Sequence, residues 1–204
     1  MKAINFFQKN FYFFIFLIYF FIGISIVEDY GISIDEEFQR FSGFYWLCYV
    51  LEFLPFDSLR IEALNRLNDI KGFTLPNPND FPFYGVVFDL PLAFLETVFK
   101  VESSKNYFLM RHQANFLIFF ISSIYFYLII KSRFNGQIVI FFGLLLYISS
   151  PRIFGDSFYN NKDLIFLSLV TISLYFFFET INNLNIRNLI LFSFFAALTS
   201  ALRI

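Results

Sequence analysis

Polar side chains able to do chemistry gather at five places in this sequence, each beside the end of a long apolar stretch. They are Asp35-Glu36-Glu37, Phe88-Asp89-Leu90-Pro91, Arg111-His112-Gln113, the run from Ser150 to Asp163, and Arg203. Together they offer carboxylates (Asp35, Glu36, Asp89, Asp163) and cations (Arg111, Lys162, Arg203). A polar group at membrane depth is costly and reads as functional, whereas one at the interface is cheaper and the reading weakens. What the chain lacks narrows the chemistry further. Its single Cys48 excludes an internal disulfide and any cysteine-based zinc site, and its single His112 excludes every motif that needs two. At a net charge of −1, no basic surface points to nucleic acid.

Each place also has a purely structural reading. Asp35 and its neighbours can be helix-capping acids, and Asp89 a solvated residue ahead of a proline-started helix. Arg111 and His112 can be interface anchors, and Asp163 the N-terminal acid of a span. Glu37, Glu52, Glu62 and Glu102 read as solvated faces, and Cys48 as a packed apolar residue. The residues alone lead as far as external-facing carboxylates on an all-helical membrane protein.

The elements that must position these groups follow from composition. The chain is 58% hydrophobic and 24% aromatic, with only 15% charged residues and a mean hydropathy of +0.64. Soluble domains carry about 25% charged residues, so a soluble globule is excluded, and so is disorder, which needs low hydrophobicity and high charge. The 36 phenylalanines are also what an AT-rich genome writes, and no aromatic binding site follows from their number.

A spanning helix needs about 20 apolar residues, because a hydrocarbon core of about 30 Å is crossed at 1.5 Å per residue. Stretches free of Asp, Glu, Lys and Arg place spans at about 10–27, 112–130, 134–151 and 164–178, and a fifth at about 188–203 that closes on Arg203. The first is too long for a signal-peptide core and no small-x-small cleavage site follows it, so it reads as a retained span. With the N-terminus cytoplasmic, Lys2, Lys9, Lys131, Arg133 and Arg187 face the cytoplasm beside one acid, Glu179. The fold class expected is therefore an all-α polytopic membrane protein, one membrane domain over 1–204. It has about five transmembrane helices and a long external loop over 28–112.

That loop carries helix signals. Ser33-Ile34-Asp35-Glu36 matches a capping box, in which Ser33 caps the helix and Glu36 returns to the Ser33 amide. Phe38, Phe41, Tyr45, Cys48 and Tyr49 follow at helical spacing, as in an amphipathic helix lying on the membrane. Asp57-Ser58 can start a second helix with Ile61, Leu64, Leu67 and Ile70 on one side. Leu75 to Asp80 is turn chemistry, and a third helix is expected from Pro91 to Val101.

In order and placement these features resemble the N-terminal half of a GT-C glycosyltransferase. That superfamily includes the protein O-mannosyltransferases and the lipid A aminoarabinose transferases. The likeness is carried by one span, then a long loop opening on Asp35-Glu36, then an acid before proline in Phe88-Asp89-Leu90-Pro91. Arg111 at the second span, Ser150-Pro151 after the third, Asp163 opening the fourth and a small-residue helix ending at Arg203 complete it. It is most similar to the bacterial lipid-linked-sugar transferases of the RgtA/B/C/D-like kind. Relatives carry about twice as many spans, so the chain reads as an N-terminal portion, inactive alone.

The resemblance implies an integral protein of the bacterial plasma membrane with its active face external. It would move a sugar, with inversion, from a polyprenyl-phosphate carrier to an external lipid, glycan or protein acceptor. No nucleotide or organic cofactor is implied. Asp35 would be the base, and Glu36, Asp89 and Asp163 a carboxylate cluster orienting the acceptor. Asp35, Asp89 and Asp163 are alternatively ligands of a divalent cation. Leu90 stands where many relatives carry a basic residue, so Arg111, Lys162 or Arg203 would meet the lipid phosphate. Two other readings stay open. A transporter or flippase for lipid-linked glycans needs mid-span polar groups or broken helices, and a non-catalytic membrane subunit is indifferent to loss of Asp35 and Asp163.

Overall fold

Inside a bilayer the backbone must satisfy its own N–H and C=O groups, so apolar stretches of this length fold as helices. The computed structural model of the protein describes residues 2–70, 77–80 and 84–203, with side chains from Asn10 onward. Among these residues the helices are α1 (Lys2–Ile26), α2 (Glu36–Leu51), α3 (Asp57–Ile70), α4 (Asp89–Val98), α5 (Ser104–Arg133), α6 (Gln137–Ser149), α7 (Pro151–Tyr159), α8 (Asp163–Asn182) and α9 (Ile186–Leu202). The protein is an all-α polytopic membrane protein. Leu75 and Pro76 of the expected turn, and the Lys2 and Lys9 side chains used for orientation, lie outside the described residues.

All five apolar stretches fall on helices, with shifted bounds. Residues Asn10–Asp29, α5 and α8 are each long and apolar enough to cross a membrane. Helix α5 begins at Ser104, well before His112, because nothing in Ser104–Arg111 breaks a helix. Its 30 residues extend about 45 Å at 1.5 Å each, so its first turns project beyond the hydrocarbon. The third stretch is not one straight span. Helix α6 stops at Ser149 and continues into α7 through a 49° bend, because Pro151 removes a backbone donor and restricts the residue before it. Helix α9, with 17 residues, is shorter than the three full spans.

The bundle core lies where α1, α5, α6, α7 and α8 meet, around Tyr19, Phe116, Phe119, Leu144, Phe158 and Leu164. Aromatic rings fill it: Phe116 stacks on Phe158 with centroids 5.3 Å apart, and Tyr30 stacks on the same Phe158 at 4.2 Å. A second core joins α2, α3 and α4 through Phe41, Phe44, Leu47, Leu51, Leu67 and Ala93. A third, with Phe88, Leu92, Ile165, Leu169 and Leu202, fastens α4 to α8 and α9.

Between α1 and α5 the structure corrects the expected faces. Helix α2 buries Phe41, Phe44, Leu47, Cys48 and Leu51, while Tyr49 is exposed. Helix α3 buries Ala63, Arg66, Leu67 and Ile70, leaving Ile61 exposed. In both, the buried stripe is rotated from the expected one because the helices pack on each other and on α4. Helix α4 starts at Asp89, so Pro91 is its third residue; the first-turn amides lack intrahelical partners, and Pro is tolerated there.

Candidate functional site

The residue that opens the site stands on a tight turn ahead of α2. Glu36 returns to the Ser33 amide, Oε1 accepting at 2.8 Å, as the capping box requires. The reciprocal half differs: the Glu36 amide donates to the Ser33 carbonyl at 3.2 Å. Asp35 takes the N-cap position without capping with its side chain, which leaves its carboxylate for other use. The next helical turn brings Gln39 to the same side of α2.

A buried charge network lies behind this turn. Asp89, fully buried at the start of α4, accepts at Oδ1 from Asn161 Nδ2 (2.8 Å) and Arg111 Nη1 (3.3 Å), and at Oδ2 from Lys162 Nζ (2.8 Å). Two turns along α4, Glu96 is equally buried and receives the Arg40 guanidinium on both oxygens. Arg111 Nη2 lies 4.0 Å from Glu96 Oε2. The chain of charges runs Arg40, Glu96, Arg111, Asp89, Lys162, alternating in sign. Burial of ions is tolerated only when each is paired in this way. A last pair, Glu36 Oε2 with His112 Nε2 at 2.9 Å, joins the α2 turn to α5.

Two glycines permit the close approaches. A Cβ on Gly43 would lie 2.6 Å from the Asp89 carbonyl oxygen, so only glycine lets α2 press against the start of α4. A Cβ on Gly85 would lie 1.6 Å from the Ala201 carbonyl oxygen. There the chain forms an isolated antiparallel bridge, Tyr84 with Arg203, and the Gly85 amide donates to the Leu202 carbonyl at 3.1 Å. Lys162 Nζ also donates to the Gly85 carbonyl at 2.9 Å. The end of α9 is thereby tied to the segment leading into α4.

Above the network opens a cavity of about 620 Å³, lined among others by Asp35, Gln39, Tyr84, Lys162, Asp163 and Arg203. Four of the seven residues singled out in the sequence thus meet: Asp35 from the α2 turn, Lys162 and Asp163 from the α7–α8 turn, Arg203 from the end of α9. Asp163 starts α8 and accepts from Arg203 Nη1, both side chains about half exposed. The other three do not line the cavity. Glu36 is turned away to His112, Asp89 lies beneath under Lys162, and Arg111, 3% exposed, is spent on Asp89 and Glu96.

Among the described residues no three His, Cys, Asp or Glu side chains converge as a metal site. The set Asp35, Asp89 and Asp163 does not fit a divalent cation. Both Asp89 oxygens are taken by two cations and an amide, and such surroundings repel a further positive charge.

Sequence reasoning missed Arg40, Glu96, Gln39, Tyr84, Gly85 and Asn161. For some a signal existed: Glu36 and Arg40 are four apart on α2, and Asp89 and Glu96 seven apart on α4, so each pair shares a helix face. Asn161 lies within the polar run from Ser150 to Asp163, whereas Tyr84 and Gly85 carried none, since their partners are distant in sequence.

A family model described as dolichyl-phosphate-mannose-protein mannosyltransferase matches residues 91–203, more than half of the chain. That stretch includes Arg111, Lys162, Asp163 and Arg203, and begins two residues after Asp89. No curated protein and no solved structure matches the chain.

Proposed function

Because the chain belongs to the dolichyl-phosphate-mannose-protein mannosyltransferase family, and is thus a membrane glycosyltransferase of the GT-C type, we propose that it transfers a sugar from a polyprenyl-phosphate carrier to an external acceptor, inverting the anomeric carbon. The observation that carries this reading is the cavity in which a carboxylate, Asp35, faces a Lys162–Asp163–Arg203 group across about 620 Å³. Asp35 takes the proton from the acceptor hydroxyl, and the acceptor oxygen bonds to the anomeric carbon. The bond from that carbon to the phosphate oxygen breaks, and its electron pair leaves on the lipid phosphate. A base positioned for such a proton transfer contributes typically 10²–10⁴-fold.

Positive charge must meet the developing phosphate, and it helps most when already in place. Arg203 and Lys162 supply it. Asp163 holds Arg203 from one side, and buried Asp89 holds Lys162 from below. Asp89 and Arg111 act at one remove, as the support of Lys162, and Glu36 as the support of the Asp35 turn. No step passes through a metal. The segment 28–112 is external in this reading and the N-terminus cytoplasmic, which puts the cavity at the outer leaflet of a bacterial plasma membrane.

Arg203→Gln tests the phosphate half without disturbing a buried group. In proteoliposomes of the intact protein with radiolabelled polyprenyl-phosphate mannose as probe donor, release of polyprenyl phosphate falls about 100-fold, the scale for removing one such donor. Unchanged release overturns the assignment. Movement of uncleaved donor across the bilayer would favour the transporter reading.

A further inference from the structure

The turn that carries Asp35 is fastened at few points. Ile34 is 96% exposed, and Asp35 and Ser33 are not buried either. Upstream, Tyr30 stacks on Phe158; downstream, Arg40 grips Glu96. Between them, the fastening nearest Asp35 is the adjacent Glu36, 2% exposed. One oxygen of its carboxylate closes the turn on the Ser33 amide and the other meets His112 Nε2. A carboxylate only accepts, so Nε2 carries the hydrogen.

His112 is 3% exposed, sits on α5 beside Arg111, and with Tyr30, Phe108 and Leu109 walls a separate cavity of about 320 Å³. The bonds from the Glu36 amide to Ser33 O and from the Gln39 amide to Asp35 O fix the shape of the turn. They do not fix where the turn stands relative to Lys162, Asp163 and Arg203, which belong to the helical bundle. Packing of α2 on α4, and of α4 on α8 and α9, places the helix as a whole; the bond from Glu36 to the imidazole ties the turn itself to α5.

We propose that His112 is a positioning residue for Asp35, acting through Glu36. The inference rests on the reading of Asp35 as the base. Geometry of reacting groups is steep in its effect, a displacement of 1 Å being enough for about 100-fold in rate. The chain's only histidine therefore sets kcat without touching the donor.

The test uses the intact protein in proteoliposomes with polyprenyl-phosphate mannose, together with hydrogen exchange read by mass spectrometry. His112→Ala lowers kcat about 10- to 100-fold with donor KM unchanged, and speeds exchange in residues 31–37 but not in 40–51. His112→Gln, whose amide still reaches Glu36, restores both. In the double variant Glu36→Ala/His112→Ala, kcat is no lower than in Glu36→Ala alone, as expected when His112 acts only through Glu36. If Asp35→Asn is inactive while His112→Ala keeps the original kcat, the positioning role is wrong and the base assignment stands. If Asp35→Asn is fully active, the base assignment is wrong. Exchange in 31–37 then judges the clamp alone, and unchanged exchange overturns it. Faster exchange throughout the chain in His112→Gln would show a structural role only and overturn it as well.

Discussion

Asp89 holds two cations and an amide at once, and that crowding decides what it can do. With both oxygens engaged and no exposure, it is unsuited to meet substrate and well suited to keep the Lys162 ammonium at the cavity floor. The same accounting explains why Arg111 is not at the surface: its charge balances Asp89 and Glu96. Asp89→Asn leaves Lys162 without its counter-charge and Arg111 with Glu96 alone. Removing one partner of a buried ion pair destabilises by about 3–5 kcal/mol, measured here as a lowered unfolding midpoint in detergent. The exposed pair Arg60–Glu52, 3.5 Å apart, is the comparison. Surface pairs contribute about 0–1 kcal/mol, so Arg60→Ala barely moves the midpoint. Equal effects of the two substitutions would contradict the account of the network.

At the scale of elements, the site depends on where helices end rather than on what they contain. The Ser150-Pro151 break turns α7 so that Tyr159 to Asp163 returns to the mouth of the cavity, and α9 stops where Gly85 can bond its last turn. Gly85→Ala forces a methyl into the Ala201 carbonyl. Overpacking of this kind costs typically 1–3 kcal/mol, and the displaced α9 end takes Arg203 with it. Release of polyprenyl phosphate therefore falls as well as the unfolding midpoint, whereas Gly31→Ala, which meets nothing within 4 Å, changes neither. Wild-type release in Gly85→Ala would mean that α9 does not shape the site. Helix order was legible in the sequence because apolar stretches between charges report it directly. The rotation of α2 and α3 was not, since Phe44 and Ala63 are buried by partners that the local pattern does not name. The group at the cavity was half legible. Asp35, Lys162, Asp163 and Arg203 stand at helix ends, a position sequence reveals; Gln39 and Tyr84 join them through folding alone.

For the molecule as a whole, the start of α2, Tyr84, the turn at Tyr159–Asp163 and Arg203 meet at one cavity, and this face must be external for a carrier on the outer leaflet to reach it. Topology is open to direct test. In a Cys48→Ala background, Ile34→Cys is labelled on intact cells by a membrane-impermeant maleimide, while Ser132→Cys at the end of α5 is labelled only after permeabilisation. The opposite pattern would invert the protein and detach the cavity from its proposed donor. Proton abstraction by Asp35 is addressed by one substitution. Asp35→Asn keeps size and lies on an exposed turn, so the fold is retained. Transfer of labelled mannose from polyprenyl-phosphate mannose by the purified intact protein should then fall at least about 100-fold, the low end for loss of a general base, with the unfolding midpoint unchanged. Transfer at the wild-type rate by a protein that unfolds like the wild type would contradict the account.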